Sequence, residues 1–266
     1  MKKKAAGGSE RVRIVSYDGR KASTASSRII RERMVEIVLN GRRVISVACT
    51  GHHLKELAVG FLKSEGVVDK KGEILAMNVA ADGGRVEVRV AARMSRGMLG
   101  KHAGRTLASS GARGVVHYGH AERGPKKRII GEVVLTPRNV LKLMSGLLRS
   151  AVMHGATRGT HCSALASPER IIVVREDIGR HNTIDMLAGH ALLKGLSLSD
   201  KVVLTTGRIS AEIVHKIRIM GTPVIVSHSA PTSRAVALAA EIGVTLIGYV
   251  RNGKMRVYAH PERVRF

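Results

Sequence analysis

The chain has 266 residues, 45 Lys and Arg against 20 Asp and Glu for a formal net charge of +25, and an apolar content of 44%. That apolar share excludes a disordered chain and suffices for a sizeable core, while no apolar run approaches the ~20 residues that a membrane span needs. The charge calls for an anionic partner, whether nucleic acid, a phosphorylated ligand or an acidic protein. No apolar stretch follows the basic start Met1–Lys4, so the chain is read as cytoplasmic and without a membrane partner. Two cysteines, Cys49 and Cys162, are too few and too far apart for a disulfide framework or a structural zinc site.

Residues 1–28 are rich in Lys, Arg, Ser and Gly and read as a basic mobile tail. Residues 29–131 read as a small α+β domain. In it, Met34–Leu39, the turn Asn40-Gly41 and Arg42–Val47 predict a β-hairpin, since Asn-Gly supplies both positive-φ positions of a tight turn. Thr50 is expected to cap a helix bearing Leu54, Leu57, Ala58, Phe61 and Leu62, which Gly66 ends. Arg85–Val90 alternates Val with charge and predicts a strand. Residues 93–131 are rich in Gly, Arg and Ser and read as a long loop.

Residues 132–266 read as a second domain. Thr136-Pro137 opens a helix carrying Val140, Leu143, Met144, Leu147 and Leu148 on one face. From Ile171 onward strands and helices alternate: Ile171–Val174, helix Asn182–Lys194, Val202–Thr205, helix Ser210–Met220, Val224–Ser227, helix Thr232–Ile242 and Thr245–Val250. Short connections in such an order imply βαβ crossovers and a largely parallel sheet covered on both faces. An Asn252-Gly253 turn adds an antiparallel edge hairpin. The fold class is therefore α/β, a C-terminal three-layer α/β/α sandwich beside a smaller α+β domain.

Open α/β sheets bind ligands beyond the carboxyl ends of their strands, and those ends are polar here. They carry Arg180 and His181, then Gly207, Arg208 and Ser210, then Ser229, Thr232 and Ser233, and finally Arg251, Asn252, Gly253 and Lys254. Thr206–Ser210 and Ser229–Ser233 each precede a helix, whose free N–H groups and positive dipole end suit a phosphate; a Ser or Thr there is equally read as an ordinary cap. His161 and Cys162 are candidates for acid–base or thiolate chemistry, His161 being equally readable as a hydrogen-bonding element. Glu176 and Asp177 point opposite ways on an extended segment and read as a salt bridge or helix cap.

Thr157-x-Gly-x-His161, Arg175-Glu-Asp-Ile-Gly-Arg-His-Asn-Thr-Ile-Asp185, Gly207-Arg-Ile-Ser-Ala-Glu212, Lys216, Ser229-Ala-Pro-Thr-Ser233 and Gly248-Tyr-Val-Arg251 resemble the FdhD family, the formate dehydrogenase accessory sulfurtransferases. Cys49-Thr50, Glu56–Leu62 and Ser64-Glu-Gly66 resemble its first half. The resemblance implies a C-terminal fold like that of cytidine deaminases, homodimerisation, and transfer of sulfur from a cysteine desulfurase to the bis-(molybdopterin guanine dinucleotide) cofactor of a Mo- or W-dependent formate dehydrogenase. It also implies that Tyr249, Val250, Arg251, Asn252, Gly253 and Lys254 belong to the cofactor-binding stretch, with GDP or GTP as a partial mimic of the ligand.

One departure bears on the chemistry. The family carries a C-G-x-C-G loop whose thiolate receives the sulfur as a persulfide, and the corresponding stretch here is Ser110-Gly-Ala-Arg-Gly114. Neither Ser110 nor Arg113 offers a nucleophilic sulfur. Two readings follow: Cys162, beside His161, or Cys49 takes over the sulfur, or the protein binds the cofactor as a chaperone without sulfur transfer. Zinc deaminase chemistry is excluded by the absence of H-x-E with P-C-x-x-C, and nonspecific nucleic-acid binding is the remaining alternative.

Overall fold

The computed structural model describes residues 8–91, 105–107, 128, 129 and 131–266. Ser110, Arg113 and most of the predicted loop 93–131 lie outside these residues. The first departure from expectation comes at once: Ser9–Tyr17 (β1) and Ala22–Ile30 (β2) pair as an antiparallel ribbon where a mobile tail was expected. The β-branched residues Val12, Ile14 and Val15 favour extension, and the Asp18 carboxylate closes the turn by accepting from the Arg20 and Lys21 amides at 2.9 and 3.0 Å.

The α+β part follows. Arg33–Leu39 (β3) and Arg42–Cys49 (β4) form the predicted hairpin, with Asn40 and Gly41 at φ 47° and 79°. Leu54–Ser64 (α1) starts without Thr50 as its cap, because the Thr50 amide and hydroxyl both donate to Asp177 instead (2.8 and 3.0 Å). Ile74–Val79 (β5), Arg85–Val90 (β6) and Arg105–Leu107 (β7) complete a sheet ordered β5-β6-β3-β4-β7. Its core joins Ile37, Leu39, Val86 and Val88 to Leu57 and Leu62 of α1.

In the second part Thr136 caps Pro137–Ser150 (α2) as expected, its hydroxyl accepting from the Asn139 amide. Val152–Thr157 (α3), His161–Ala166 (β8), Ile171–Asp177 (β9), Arg180–Lys194 (α4), Val202–Thr205 (β10), Ala211–Met220 (α5), Val224–Ser227 (β11), Ser233–Ile242 (α6), Thr245–Arg251 (β12) and Lys254–Ala259 (β13) follow. The sheet order is β13-β12-β11-β10-β8-β9. Helices α4, α5 and α6 cover one face through Leu187, Ile213, Ile217 and Ala239, and α2 covers the other through Val140, Leu143 and Leu147. The three layers are those expected, but β8 runs antiparallel between β9 and β10, so the sheet is mixed. The sequence pattern conceals this, because a strand buried on both faces reads as an apolar run whatever its direction.

The two parts meet where α1 crosses α4. A Cβ on Gly60 would lie 1.7 Å from the Asp185 carbonyl oxygen, and one on Gly189 would lie 1.9 Å from that of Glu56. Only glycine permits backbones this close, and Met186 of α4 reaches through the joint into the core of the first part.

Candidate functional site

Strands β9, β10, β11 and β12 run in the same direction and end together, so the segments after them form one rim. Backbone bonds lock these segments to one another: Thr206 donates to the Cys162 carbonyl (2.9 Å), Ile209 to that of Ala230 (3.1 Å), Thr232 to that of Ile209 (2.9 Å) and Tyr249 to that of Ser229 (3.1 Å). Beneath them the Ser227 hydroxyl donates to the Gly207 carbonyl at 2.7 Å and accepts from the Ser229 amide at 2.9 Å. These bonds hold the rim segments to one another and to the sheet.

Its electrostatics are dominated by cations. Burial first, and then the charges of Arg180, His154 and Arg208, hold His161 below the ordinary imidazole range. Burial, Arg251 and His154 do the same to His228. Arg180 opens α4 with its stem against Gly207, where a Cβ would come within 2.9 Å of the Arg180 Cβ. The Arg251 and Arg256 guanidinium carbons lie 4.8 and 4.6 Å from the Tyr249 ring centre, within cation–π range. Tyr249 itself has φ 55°, a left-handed conformation costly for an aromatic residue and characteristic of functional sites. Two carboxylates border this cluster: Glu176 accepts from the Met153 and His154 amides at 3.1 and 2.7 Å, and Glu212 lies 3.5 Å from His181.

The two predicted phosphate loops differ. The Thr232 hydroxyl accepts from the Ala235 amide at 3.3 Å and so caps its own helix. Ser210 makes no such bond; its Oγ is buried at the N-terminus of α5 without a hydrogen-bond partner among the described residues. Of the two, Ser210 is the hydroxyl that does not cap its own helix.

Several expected site residues have other roles. His181 faces Glu212 at 3.5 Å, Val250 is a core residue, and Asn252 and Gly253, with φ 52° and 70°, shape the turn that presents exposed Lys254. Ser229 contributes its backbone, and exposed Ser233 is the first residue of α6. Cys162 is fully buried, and burial followed by the Glu176 carboxylate 3.5 Å from its sulfur pushes the thiol up. Cys49 is also fully buried and is pushed up to about 12 by burial and then by Asp177. Neither environment favours a reactive thiolate, which needs exposure and neighbouring positive charge. Although Cys162 adjoins His161 in sequence, its sulfur points into the core, toward the Glu176 carboxylate.

The spacing argument missed His154, His228 and Arg256. The position of His228 directly after β11 was the available signal; His154 and Arg256 reach the rim from α3 and β13, through tertiary contact alone. It also missed that many polar residues of the long motifs join the two parts of the molecule. Asp177 accepts from Thr50, from the Gly179 amide (3.0 Å) and from the Asn182 amide group (2.7 Å). Arg175 holds Glu56 at 2.5 and 2.7 Å, with His190 Nδ1 2.9 Å from the same carboxylate. Lys216 and Ser64 donate to Asp185 at 2.6 and 2.7 Å.

The class of protein is thus a two-part α/β scaffold with a cationic rim at its strand ends. The FdhD/NarQ family pattern matches residues 30–265, and the chain belongs to that family. The sulfur carrier protein FdhD of Bacillus subtilis (strain 168) is 34% identical over 249 residues, which cover 94% of this chain and 95% of that protein. The protein of the same name from Shouchella clausii is 36% identical over 239 residues, 89% of each chain. The crystal structure of a proposed formate dehydrogenase accessory protein from Desulfotalea psychrophila matches with a TM-score of 0.78 at 26% identity, covering 97% of this chain and 100% of that one.

Proposed function

We propose that this protein is a formate dehydrogenase accessory protein that binds the bis-(molybdopterin guanine dinucleotide) cofactor at the strand-end rim and supports its delivery without carrying sulfur on a cysteine of its own. The observation that carries the reading is that Cys49 and Cys162, the two cysteines of the chain, are both fully buried with thiols pushed up by burial and a neighbouring carboxylate, while the resemblance to the family puts Ser110 and Arg113 in the places of its loop cysteines. The rim supports the ligand class: Arg180, Arg208, Arg251 and Lys254 suit the phosphates, the Ser210 hydroxyl lacks a partner among the described residues, and Tyr249 with its two arginines offers a stacking surface. The sheet order, with β8 alone reversed among β8 to β12, supports the likeness to the cytidine-deaminase fold. On this reading formate dehydrogenase is the partner and a homodimer the expected assembly, whereas a cysteine desulfurase acts on another sulfur acceptor.

The test is intact-mass spectrometry after incubation with a cysteine desulfurase and cysteine, alongside GDP titration. The expected result is no sulfur adduct, together with GDP binding that weakens about tenfold in Arg251→Ala or Lys254→Ala with a shallower salt dependence. A sulfur adduct lost in Cys162→Ala or in Cys49→Ala overturns the absence of sulfur transfer, and unchanged GDP affinity in both rim variants overturns the binding site.

A further inference from the structure

The ribbon of β1 and β2 carries a charge pattern that the rim does not account for. It is a sheet of two strands, an arrangement only marginally stable alone in water. Alternate residues of a strand share a face, so the register places Arg11, Arg13, Val15 and Tyr17 of β1 on one face with Arg28 and Ile30 of β2. Arg11 stands directly across the ladder from Arg28, a like-charge pairing that works against the free ribbon. The one acidic residue of the two strands, Glu10, is on the opposite face and pairs with Arg31 at 3.4 Å. Ile30 anchors the base, 3.0 Å from where a Cβ on Gly159 would lie, and toward the tip Val15 and Tyr17 are 75% and 68% exposed. Neither outer edge of the ribbon has a strand partner among the described residues.

We propose that this ribbon is a docking surface for an extended acidic segment of a partner protein, which adds as a third strand with carboxylates at alternate positions facing the arginines and an apolar residue on Val15 and Tyr17. Alternate residues of a strand are about 7 Å apart, so the carboxylates of an added strand keep step with Arg11 and Arg13. Strand addition pairs the open N–H and C=O groups of one edge, and the carboxylates turn the Arg11–Arg28 repulsion into attraction. Nucleic acid would answer the arginines alone, leaving the edge amides and the apolar tip without a role. The inference rests on the ribbon and is independent of what the rim binds.

The experiment uses the full chain and a fluorescein-labelled peptide of nine residues, the length of β1, with Glu at alternate positions and Leu near one end. A second peptide of the same composition has its Glu residues in one block. Fluorescence anisotropy is expected to show the alternating peptide binding about tenfold more tightly than the block peptide, and Arg11→Glu with Arg28→Glu abolishing that preference, consistent with cross-strand pairing. Equal binding of the two peptides, or an unchanged preference in the double variant, overturns the proposal; displacement of the peptide by oligothymidylate at lower concentrations than by the block peptide overturns it in favour of a nucleic-acid surface. If charge reversal impairs folding by circular dichroism, Arg11→Gln with Arg28→Gln serves instead, with a smaller loss expected and no loss overturning the proposal.

Discussion

The joint between α1 and α4 and the rim at the strand ends are both crowded with ionisable groups, but they are wired in opposite ways. At the joint each carboxylate has its donors: Glu56 has Arg175, Asp185 has Lys216 and Ser64, and Asp177 has Thr50, Gly179 and Asn182. At the rim the cations face one another, and two histidines are held below their usual range by burial and by those same arginines. Buried charge persists where it is paired and hydrogen-bonded. Clustered charge of one sign persists at a partly solvated surface, where an incoming anion relieves it. The two regions therefore separate the residues that hold this fold together from those that would face a ligand on the proposed function, although both kinds sit in the same motifs.

The largest effects are expected at the joint. Asp185→Ala strands the Lys216 ammonium, and urea denaturation should show a loss of about 3–5 kcal/mol; a loss no larger than that of an exposed alanine substitution would remove the distinction between joint and rim. Gly189→Ala forces α1 and α4 apart and is expected to cost about 1–3 kcal/mol or more by the same measurement, with native stability retained if the helices can slide.

The rim is tested by pH. Because burial and then neighbouring cations lower the folded-state pKa of His161 and His228 beneath the ordinary value of ~6.5, the unfolded chain takes up protons first on acidification. Native stability contributed by these groups therefore falls as pH drops through that value toward their folded pKa. A bound anion favours the protonated imidazoles, so affinity for sulfate, whose charge is constant here, should rise severalfold between about pH 7.5 and about pH 5.5. His161→Asn with His228→Asn is expected to flatten that rise, as read by calorimetric titration, and a slope that survives both substitutions would place the titrating group elsewhere.

The smallest effects distinguish the two hydroxyls. Thr232→Ala removes a cap and should cost about 1 kcal/mol of stability with GDP affinity retained. Ser210→Ala should change stability by less than about 0.5 kcal/mol while weakening GDP binding, and the reverse pattern would exchange the two roles.

Much of this was legible in the residues. The Asn40-Gly41 hairpin, the Thr136 cap and the alternation of strands and helices after Ile171 depend on local backbone preference and on burial periodicity, which neighbouring residues carry. The ribbon at Ser9–Ile30 was obscured by its polar composition, since Ser, Thr and Arg on a solvated two-stranded sheet resemble a tail. The rim was partly legible because strand ends can be located once strands are. The fate of the cysteines was not: Cys162 adjoins His161 in sequence, but alternation along β8 turns its sulfur inward.

By itself, the sequence determined the local elements, the layered α/β class, the excess of cations at the strand ends and the absence of the loop cysteines, because each depends on residue identity or short-range spacing. The tertiary structure alone decided which charges are matched. Thr50 and Asp177, Glu56 and Arg175, and Ser64 and Asp185 are more than a hundred positions apart, and whether such groups stabilise the fold or wait for a ligand depends on distance and solvent access that only the packing of α1 against α4 sets.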